Sequence, residues 1–485
     1  MAISHFAHKG LFGLSLVLAC LSVSCEKAPM ETSSSLDMAT SSSIASETSI
    51  SSSAEVTPNS KANLLDYAAK KDTLKRDIYG YYPPTSKEGI AAMKEAGVSS
   101  VIATPWACGY LSDTTGLNYA NSLLEAGLND FPYTGSRDAI NQSDLFSPAW
   151  LKTQENLEGV YVIDEPLPSD IPALANQVSA FNATLPGKTF LTCVLDPGGT
   201  ALSGWTKGVT YPEYLDSYCT NVLDALDPSC PKILLGDTYP LQYVNGNNLI
   251  SAHHLYTIGL WGSLAKERGY RANSCIMADD AIIFKTPTLA SLRFQINSLF
   301  ACGIENYTLF TVDTPPSGTE EYRKAMWQNG ATTSIYPLIQ KVNAESQAYS
   351  YVMLQFTWDG VKGFLPLTLD STYSGEKTAL ENLSTTGHEE TTYDFSTSAI
   401  FEEVETETPI LLSHFTDRAG NEAFYVMNYS QPSHSSSDFV TLSFQGVNRA
   451  LVYRNGEEND LPLSGGSLSL SLNNGEGAFI LPYKN

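Results

Sequence analysis

The sequence predicts a (β/α)₈ barrel followed by a C-terminal antiparallel β-sandwich. Between about residues 75 and 355, apolar runs of strand length alternate with helical segments close to eight times, the pattern that produces a parallel sheet with crossover helices. Beyond residue 355, short alternating segments are separated by glycine- and asparagine-rich turns, as in antiparallel sandwiches. No GxGxxG turn follows the first strand, which argues against a dinucleotide-binding sheet.

The predicted barrel strands are apolar runs that end in polar residues: Ile78–Tyr82, Ser100–Pro105, a weaker strand near Phe131–Tyr133, Gly159–Glu165, Thr189–Leu195, Ile233–Tyr239, Ser274–Ala278 and Tyr307–Val312. The predicted helices have apolar residues at helical spacing: Leu64–Leu74, Lys87–Ala96, Ile171–Phe181, Ser251–Arg268, Leu289–Ala301 and Thr333–Leu354. The predicted sandwich strands are Ile410–Phe415, Glu422–Asn428, Phe439–Phe444, Ala450–Arg454, Ser467–Leu472 and Ala478–Leu481. This organisation predicts a barrel over residues 62–355 and a sandwich over residues 356–485.

Residues 1–25 have the features of a signal peptide, namely basic residues, an apolar stretch and small residues before a cysteine. The apolar stretch is too short for a membrane-spanning helix. Its end resembles the lipobox of bacterial lipoproteins, with Cys25 as the acylated residue and Cys20 as the competing site; plain secretion is the alternative. Residues 26–61 are rich in serine and threonine and predict a disordered tether. We therefore expect an exported protein held to a bacterial membrane only through its N-terminal lipid.

The charge balance excludes one class of partner. The 485 residues include 28 Lys+Arg and 52 Asp+Glu, a formal net charge of -24, which repels nucleic acid. The body has no CxxC pair and no His-x-x-x-His motif, so we expect no structural zinc and no cofactor. Cys219 and Cys230 are close in sequence, and they form either a disulfide or two buried thiols.

Acidic and aromatic residues collect where the predicted strands end. Active residues of such barrels lie at the C-terminal ends of the strands. The acids there are Asp164, Glu165, Asp196, Asp237, Asp279, Asp280 and Asp313, and the aromatic residues include Tyr81, Tyr82, Trp106 and Tyr239.

Glycoside hydrolysis uses two carboxyl groups, one protonated and one ionised, on either side of the bond. Pro166 favours an extended backbone at Glu165, and Asp164 together with burial would raise one carboxyl pKa, as a general acid requires. The structural alternative is that the two acids cap the next helix or pair with a basic side chain.

The segment Val162-Ile-Asp-Glu-Pro166 resembles the end of the fourth strand in the large glycosidase superfamily of (β/α)₈ barrels. The resemblance implies that Glu165 is the acid/base. Other segments are similar to family 42 β-galactosidase-like proteins: Tyr211-Pro-Glu-Tyr214, Gly236-Asp-Thr-Tyr-Pro240, Leu292-Arg-Phe-Gln295 and Asn474-Gly-Glu-Gly-Ala478.

The sequence departs from that superfamily at the seventh strand, where the family has a glutamate nucleophile. Only aspartates stand there. Asp279 or Asp280 could replace the nucleophile, or Asp237 could act as the base of an inverting mechanism.

Three functions follow from this reading. The first is a glycosidase of a poly- or oligosaccharide, with Glu165 as general acid/base, a rim aspartate as its partner, and Asp164, Tyr81, Trp106, Tyr239 and Asp313 as substrate-binding residues. The second is a surface lipoprotein that binds glycan without cleaving it. The third is another acid–base or metal-assisted enzyme, since clustered aspartates also bind Ca²⁺ or Mg²⁺.

Overall fold

Eight parallel strands form the first part of the fold in the computed structural model. The strands are β1 (Ile78–Tyr81), β2 (Ser100–Ala103), β3 (Asn129–Pro132), β4 (Gly159–Asp164), β5 (Thr189–Leu195), β6 (Ile233–Asp237), β7 (Arg271–Met277) and β8 (Asn306–Phe310). They are hydrogen-bonded in chain order, and β8 pairs with β1. Parallel bridges Asp130–Leu157 and Tyr133–Tyr161 join β3 to β4 and close the barrel. The predicted fold class is confirmed.

The structure describes residues 59–104, 108–109, 114–134, 137–197, 208–244, 247–281, 285–314, 322–385, 391–433 and 437–485. The predicted lipid site Cys25, the competing Cys20, most of the tether and the candidate Trp106 lie outside these residues. Within them, no helix is both long and apolar enough to cross a membrane.

Helices cover the outside of the barrel: α1 (Lys87–Glu95), α2 (Thr114–Ala126), α3 (Ile171–Thr184), α4 (Tyr211–Tyr218), α5 (His254–Arg268), α6 (Leu289–Ala301), α7 (Tyr336–Ala348) and α8 (Ser350–Met353). Local signals fix their ends. Thr210 and Glu213 form a capping box at the start of α4, and α5 ends at Gly269, whose φ of 68° is left-handed. Between β3 and β4 the described residues form two 3₁₀ turns rather than an α-helix.

Two helix predictions need correction. The segment 64–74 contains only a 3₁₀ turn, Tyr67–Lys70, because Asp66 makes no capping hydrogen bond and the Tyr67 hydroxyl donates to Asp417 (2.7 Å) in the C-terminal part of the fold. The predicted helix 333–354 is two helices, α7 and α8, because the backbone leaves the helical conformation at Tyr349.

The C-terminal part is an antiparallel sandwich whose strands are β9 (Phe356–Phe364), β10 (Phe401–Thr406), β11 (Ile410–Asp417), β12 (Glu422–Asn428), β13 (Ser437–Phe444), β14 (Arg449–Arg454), β15 (Glu457–Pro462), β16 (Ser467–Asn473) and β17 (Gly477–Tyr483). One sheet has the order β9-β11-β12-β17-β14-β15, and the other has the order β10-β13-β16. A helix that the sequence did not predict, α9 (Ser374–Leu383), lies between β9 and β10.

The barrel and the sandwich belong to one compact unit, residues 58–485. Arg293 of α6 helps to join them, because its guanidinium binds Glu345 of α7 (2.7 Å) and Glu476 of the β16–β17 turn (3.5 Å). These two ion pairs link α6 and α7 of the barrel to the sandwich. Cys219 and Cys230 are buried free thiols, which is the second of the two alternatives that the sequence left open.

Candidate active site

A β-bulge in β4 directs Asp164 into the barrel. The pairing with β5 shifts between Tyr161 and Ile163, so that Tyr161 lies opposite Leu191 and Asp164 lies opposite Cys193. Strict alternation would place residues 161 and 164 on opposite faces of the strand. Since Val162 and Ile163 both pack toward the surrounding helices, the extra residue returns Asp164 to the face of Tyr161. Bulges often redirect side chains beside functional sites in this way.

Glu165 follows in a left-handed conformation, with φ of 48°. The sequence expectation of an extended residue before Pro166 is therefore wrong. Two hydrogen bonds hold the unusual backbone: the Glu165 amide donates to the Cys193 carbonyl (2.9 Å), and Arg137 donates to the Glu165 carbonyl (2.7 Å). The strain of such a conformation is typical of functional positions. Asp164 and Glu165 are both partly exposed at the barrel mouth.

Two tyrosines donate to the Asp164 carboxylate. Tyr161 contacts Oδ1 (2.5 Å) and Tyr81 contacts Oδ2 (3.2 Å). Burial raises the pKa of Asp164, and the two phenol groups and Arg137 oppose that shift. Phenol donors favour the ionised carboxylate, so this carboxyl is held in a fixed orientation as an acceptor.

Glu165 and Asp237 form the second part of the cluster. Burial raises the pKa of Glu165 to about 7, with the charges of Asp164 and Asp196 adding to the rise and Arg137 opposing it. Burial, followed by the charge of Glu165, holds the pKa of Asp237 well above its usual range. Asp237 Oδ1 is buried and accepts no hydrogen bond from the part of the chain that is described. These carboxyls stand at the ends of β4 and β6, and the charge of Glu165 acts on the ionisation of Asp237.

Asp196, after β5, completes the cluster by accepting a hydrogen bond from Thr238 (3.1 Å). The carboxyls that the structure brings together are thus Asp164, Glu165, Asp196 and Asp237. The first two and Asp237 were predicted as site residues, and Asp196 was predicted as a rim acid.

The acids after β7 and β8 have different surroundings. Asp279 is fully buried and accepts from Thr311 (3.1 Å); burial raises its pKa to about 8, and its charged neighbour is Asp280. Asp280 accepts from Thr286 (2.8 Å). Burial raises the pKa of Asp313 to about 6, and its Oδ1 accepts from the Thr314 amide (2.7 Å). Among the described residues, no hydrogen bond joins these three carboxyls to Asp164, Glu165 or Asp237.

Aromatic side chains fill the barrel below the carboxyls. Tyr81 stacks on Phe310 with 5.4 Å between ring centroids, and Tyr239 lies 6.1 Å from the same ring. Tyr81 therefore acts on the cluster directly, through Asp164, whereas Tyr239 lines the mouth beside it.

Sequence reasoning missed Tyr161 and Arg137. The bulge that aims Tyr161 at Asp164 leaves no signal in the apolar run 159–163. Arg137 lies in the β3–β4 connection and forms an ion pair with Asp170; the only sequence signal was a lone arginine before an acidic strand end. No group of three or more His, Cys, Asp or Glu residues in the described part of the chain is placed to hold a metal ion.

Comparisons with known proteins give structural similarities. No protein-family model matches the sequence, and no match exists among curated proteins. The fold is similar to a β-galactosidase from the psychrophilic Marinomonas ef1 (9% identity, TM-score 0.42), with the alignment covering 56% of this chain and 60% of that chain.

Two further solved structures are similar over most of their length. A GH42 β-galactosidase from G. stearothermophilus has 9% identity and a TM-score of 0.46, covering 88% of this chain and 99% of that chain. A GH27 β-L-arabinopyranosidase from Geobacillus stearothermophilus has 9% identity and a TM-score of 0.44, covering 85% of this chain and 98% of that chain. At this level of identity, likeness extends to architecture and not to substrate.

Proposed function

We propose that the protein is a glycoside hydrolase in which Glu165 and Asp237 are the two catalytic carboxyls. The observation that carries the proposal is the coupling of these groups at the C-terminal end of the barrel. The charge of Glu165 raises the pKa of Asp237 further than burial alone does, so an ionised Glu165 favours the protonated form of Asp237. One protonated and one ionised carboxyl is the state that hydrolysis of a glycosidic bond requires.

We assign the acid/base role to Glu165. Its pKa of about 7 lets it give and accept a proton near neutral pH. When Glu165 carries the proton, one of the causes that raise the pKa of Asp237 is removed, while burial still opposes its ionisation. In the proposed mechanism Asp237 is then the ionised partner, either as nucleophile or as base for a water molecule. Asp164, fixed by Tyr81 and Tyr161, would accept a sugar hydroxyl or stabilise positive charge on the ring.

The substrate class we propose is a poly- or oligosaccharide outside the cell. The barrel mouth, with its aromatic and carboxyl groups, suits sugar rings and hydroxyls. Export and anchoring through the lipid on Cys25 are part of the same proposal, because such a tether holds an enzyme near a surface glycan. The mass of the mature N-terminal residue decides among Cys25, Cys20 and plain secretion.

The test is hydrolysis of a panel of aryl glycosides by the full chain and by its Glu165→Gln and Asp237→Asn variants. We expect both variants to lose roughly a hundredfold or more in kcat with p-nitrophenyl leaving groups. With dinitrophenyl leaving groups, which need little protonation, Glu165→Gln should recover much of its rate, whereas Asp237→Asn should not.

Glu155→Gln and Asp144→Asn are matched controls, since both side chains are exposed on the surface. They should hydrolyse the panel at the parent rate. Failure of the parent to cleave any glycoside in the panel, or full activity of Asp237→Asn, would contradict the proposed pair.

The second candidate is a glycan-binding lipoprotein without catalysis. The burial of Asp279 against Thr311 favours it, because a nucleophile at the end of β7 must reach the sugar. Oligosaccharide binding by calorimetry, with no cleavage by the parent, would select this function.

A further inference from the structure

A cavity of about 210 Å³ lies where the barrel meets the sandwich. One wall is the hairpin Leu241–Val244 and Asn247–Ile250, which follows β6. The second wall is the segment that leads into α6, and the third is the loop Gln431–Ser433 after β12. The barrel alone therefore does not complete the cavity.

Hydrogen bonds fix residues of the cavity walls in place. The Gln295 side chain accepts from the Met277 amide (2.8 Å) and donates to the Met277 carbonyl (3.1 Å). The Gln431 side chain donates to the Asn248 carbonyl (3.5 Å), and Asn474 donates to the Gln431 carbonyl (3.0 Å). A cavity held in this way is preformed, so binding a ligand does not cost the conformational entropy of ordering its walls.

The cavity adjoins the ends of strands β6 and β7 of the barrel. The hairpin begins four residues after Asp237, and Met277 in the cavity wall is the last residue of β7. Thr286, also in the wall, donates to Asp280 (2.8 Å). The cavity therefore lies beside the barrel mouth, on the side of β6 and β7.

The lining combines apolar surface with free amides. Tyr243, Met277 and Pro432 supply apolar surface, and Gln242 and Asn248 supply side-chain amides that make no hydrogen bond among the described residues. A few polar groups in an apolar pocket fix the orientation of a ligand. A sugar ring, with apolar faces and a rim of hydroxyls, matches both kinds of surface.

The charges favour a neutral sugar. Lys285 is the charged side chain among the lining residues, and its ammonium lies 4.2 Å from the centroid of the Tyr243 ring, a cation–π contact that already engages it. The chain carries a formal net charge of -24, which repels an acidic polysaccharide.

We propose that this cavity binds a neutral sugar unit of the same glycan chain whose bond is cleaved at Glu165 and Asp237. This inference rests on the proposed function and extends it. The protein would act on oligosaccharides that reach from the barrel mouth to the sandwich, in preference to single glycosides.

The experiment compares the full-length parent with Gln242→Ala and Tyr243→Ala on two kinds of substrate. One is a p-nitrophenyl monoglycoside, and the other is a series of neutral gluco-, galacto-, manno- and xylo-oligosaccharides of increasing length. We expect the ratio of kcat/KM on the longer oligosaccharides to kcat/KM on the monoglycoside to fall roughly tenfold in each variant, as for the loss of a hydrogen bond or a ring contact. Gln340→Ala, an exposed glutamine of α7, should keep the parent ratio.

The outcomes separate the two proposals. A parental ratio in Gln242→Ala and Tyr243→Ala overturns the cavity site while hydrolysis still stands. If the parent cleaves nothing, oligosaccharide binding is measured by calorimetry with Gln242→Ala and Gln340→Ala, each combined with Glu165→Gln. Weaker binding by the Gln242→Ala protein than by the Gln340→Ala protein supports the cavity site. Equal binding, or no binding by either, overturns it.

Discussion

At the scale of single residues, the site depends on two backbone irregularities in succession. The bulge at Val162 returns Asp164 to the barrel interior, and the left-handed Glu165 turns the chain immediately afterwards. Two adjacent carboxyls of a regular strand would point in opposite directions. Here both lie at the mouth, where burial raises their pKa values.

Arg137 provides a test of this electrostatic arrangement. Its positive charge lowers the pKa of both Asp164 and Glu165, so Arg137→Gln should raise both. Because the general acid then keeps its proton to higher pH, the alkaline limb of the kcat/KM profile should shift upward. The shift should shrink at high ionic strength, since the Arg137 side chain is 41% exposed.

The measurement is kcat/KM against pH for the parent and Arg137→Gln at two salt concentrations. Arg418→Gln, an exposed arginine of the sandwich, is the matched control and should leave the profile in place. If the alkaline limb of the Arg137→Gln profile stays in place or shifts to lower pH, a group other than the proposed general acid controls that limb.

The site residues could be predicted only in part. Asp164, Glu165 and Asp237 follow apolar runs of strand length, so they could be predicted as site residues from their positions at the strand ends. Asp279 also follows such a run, but β7 ends two residues earlier, at Met277, and the Asp279 side chain is fully buried and accepts from Thr311. Neither that burial nor the bulge leaves a pattern of apolar and polar residues.

At the scale of elements, continuous apolar runs made most barrel strands predictable. β3 was the weak prediction because it carries the buried Asp130, an uncommon residue in a barrel strand. The helix predicted over 64–74 was wrong because contacts with the sandwich, such as Tyr67 with Asp417, determine its conformation. Contacts between residues hundreds of positions apart are not visible in local periodicity.

The packing of α5 on β6 depends on the absence of a side chain at Gly236. A Cβ there would lie 2.3 Å from Trp261 of α5, and Trp261 is itself bound to Tyr211 of α4 (2.9 Å). Gly236→Ala should therefore destabilise the fold by about 2 kcal/mol, as overpacked cores do. It should also lower activity, because Asp237 is the next residue.

Urea unfolding measures the first effect and kcat the second. Gly375→Ala is the matched control, since its Cβ would meet Ile250 at an ordinary 3.7 Å in the first turn of α9, where alanine favours a helix. Equal unfolding midpoints for Gly236→Ala and Gly375→Ala would contradict the prediction, because they would show that Trp261 can move away from the new methyl group with no loss of stability.

At the scale of the whole molecule, a buried histidine makes the stability of the sandwich depend on pH. His414 of β11 lies between Asp359 (2.8 Å) and Glu422 (3.0 Å), and Tyr393 stacks on its ring at 4.0 Å. Burial lowers the pKa of His414, but the two carboxylates raise it above its ordinary value overall. The histidine in turn lowers the pKa of both carboxylates despite their burial.

The sign of the effect follows from these directions. The raised pKa of His414 contributes stability that is fully present below about pH 6.5 and is lost as the pH rises through the folded value. The lowered carboxylate pKa values contribute stability above about pH 4 that is lost as the pH falls. Their joint contribution should be greatest between these limits.

The prediction is checked by the unfolding free energies of the parent, His414→Gln and His253→Gln, measured from below about pH 4 to above about pH 6.5. Only His414→Gln should flatten the decline on the alkaline side, because His253 is exposed. A parental pH dependence in His414→Gln would assign the decline to other groups.

The sandwich also holds the first described residues of the chain. Asn59 donates from its side chain to the Pro482 carbonyl (2.7 Å), and its own carbonyl accepts from the Lys484 amide (2.7 Å). During synthesis, the N-terminal part of a protein emerges first and usually begins to fold first. Here the partners of Asn59 are Asn421, Glu422, Pro482 and Lys484. The start of the body therefore lacks these partners until the ribosome has made the strands of the sandwich up to β17.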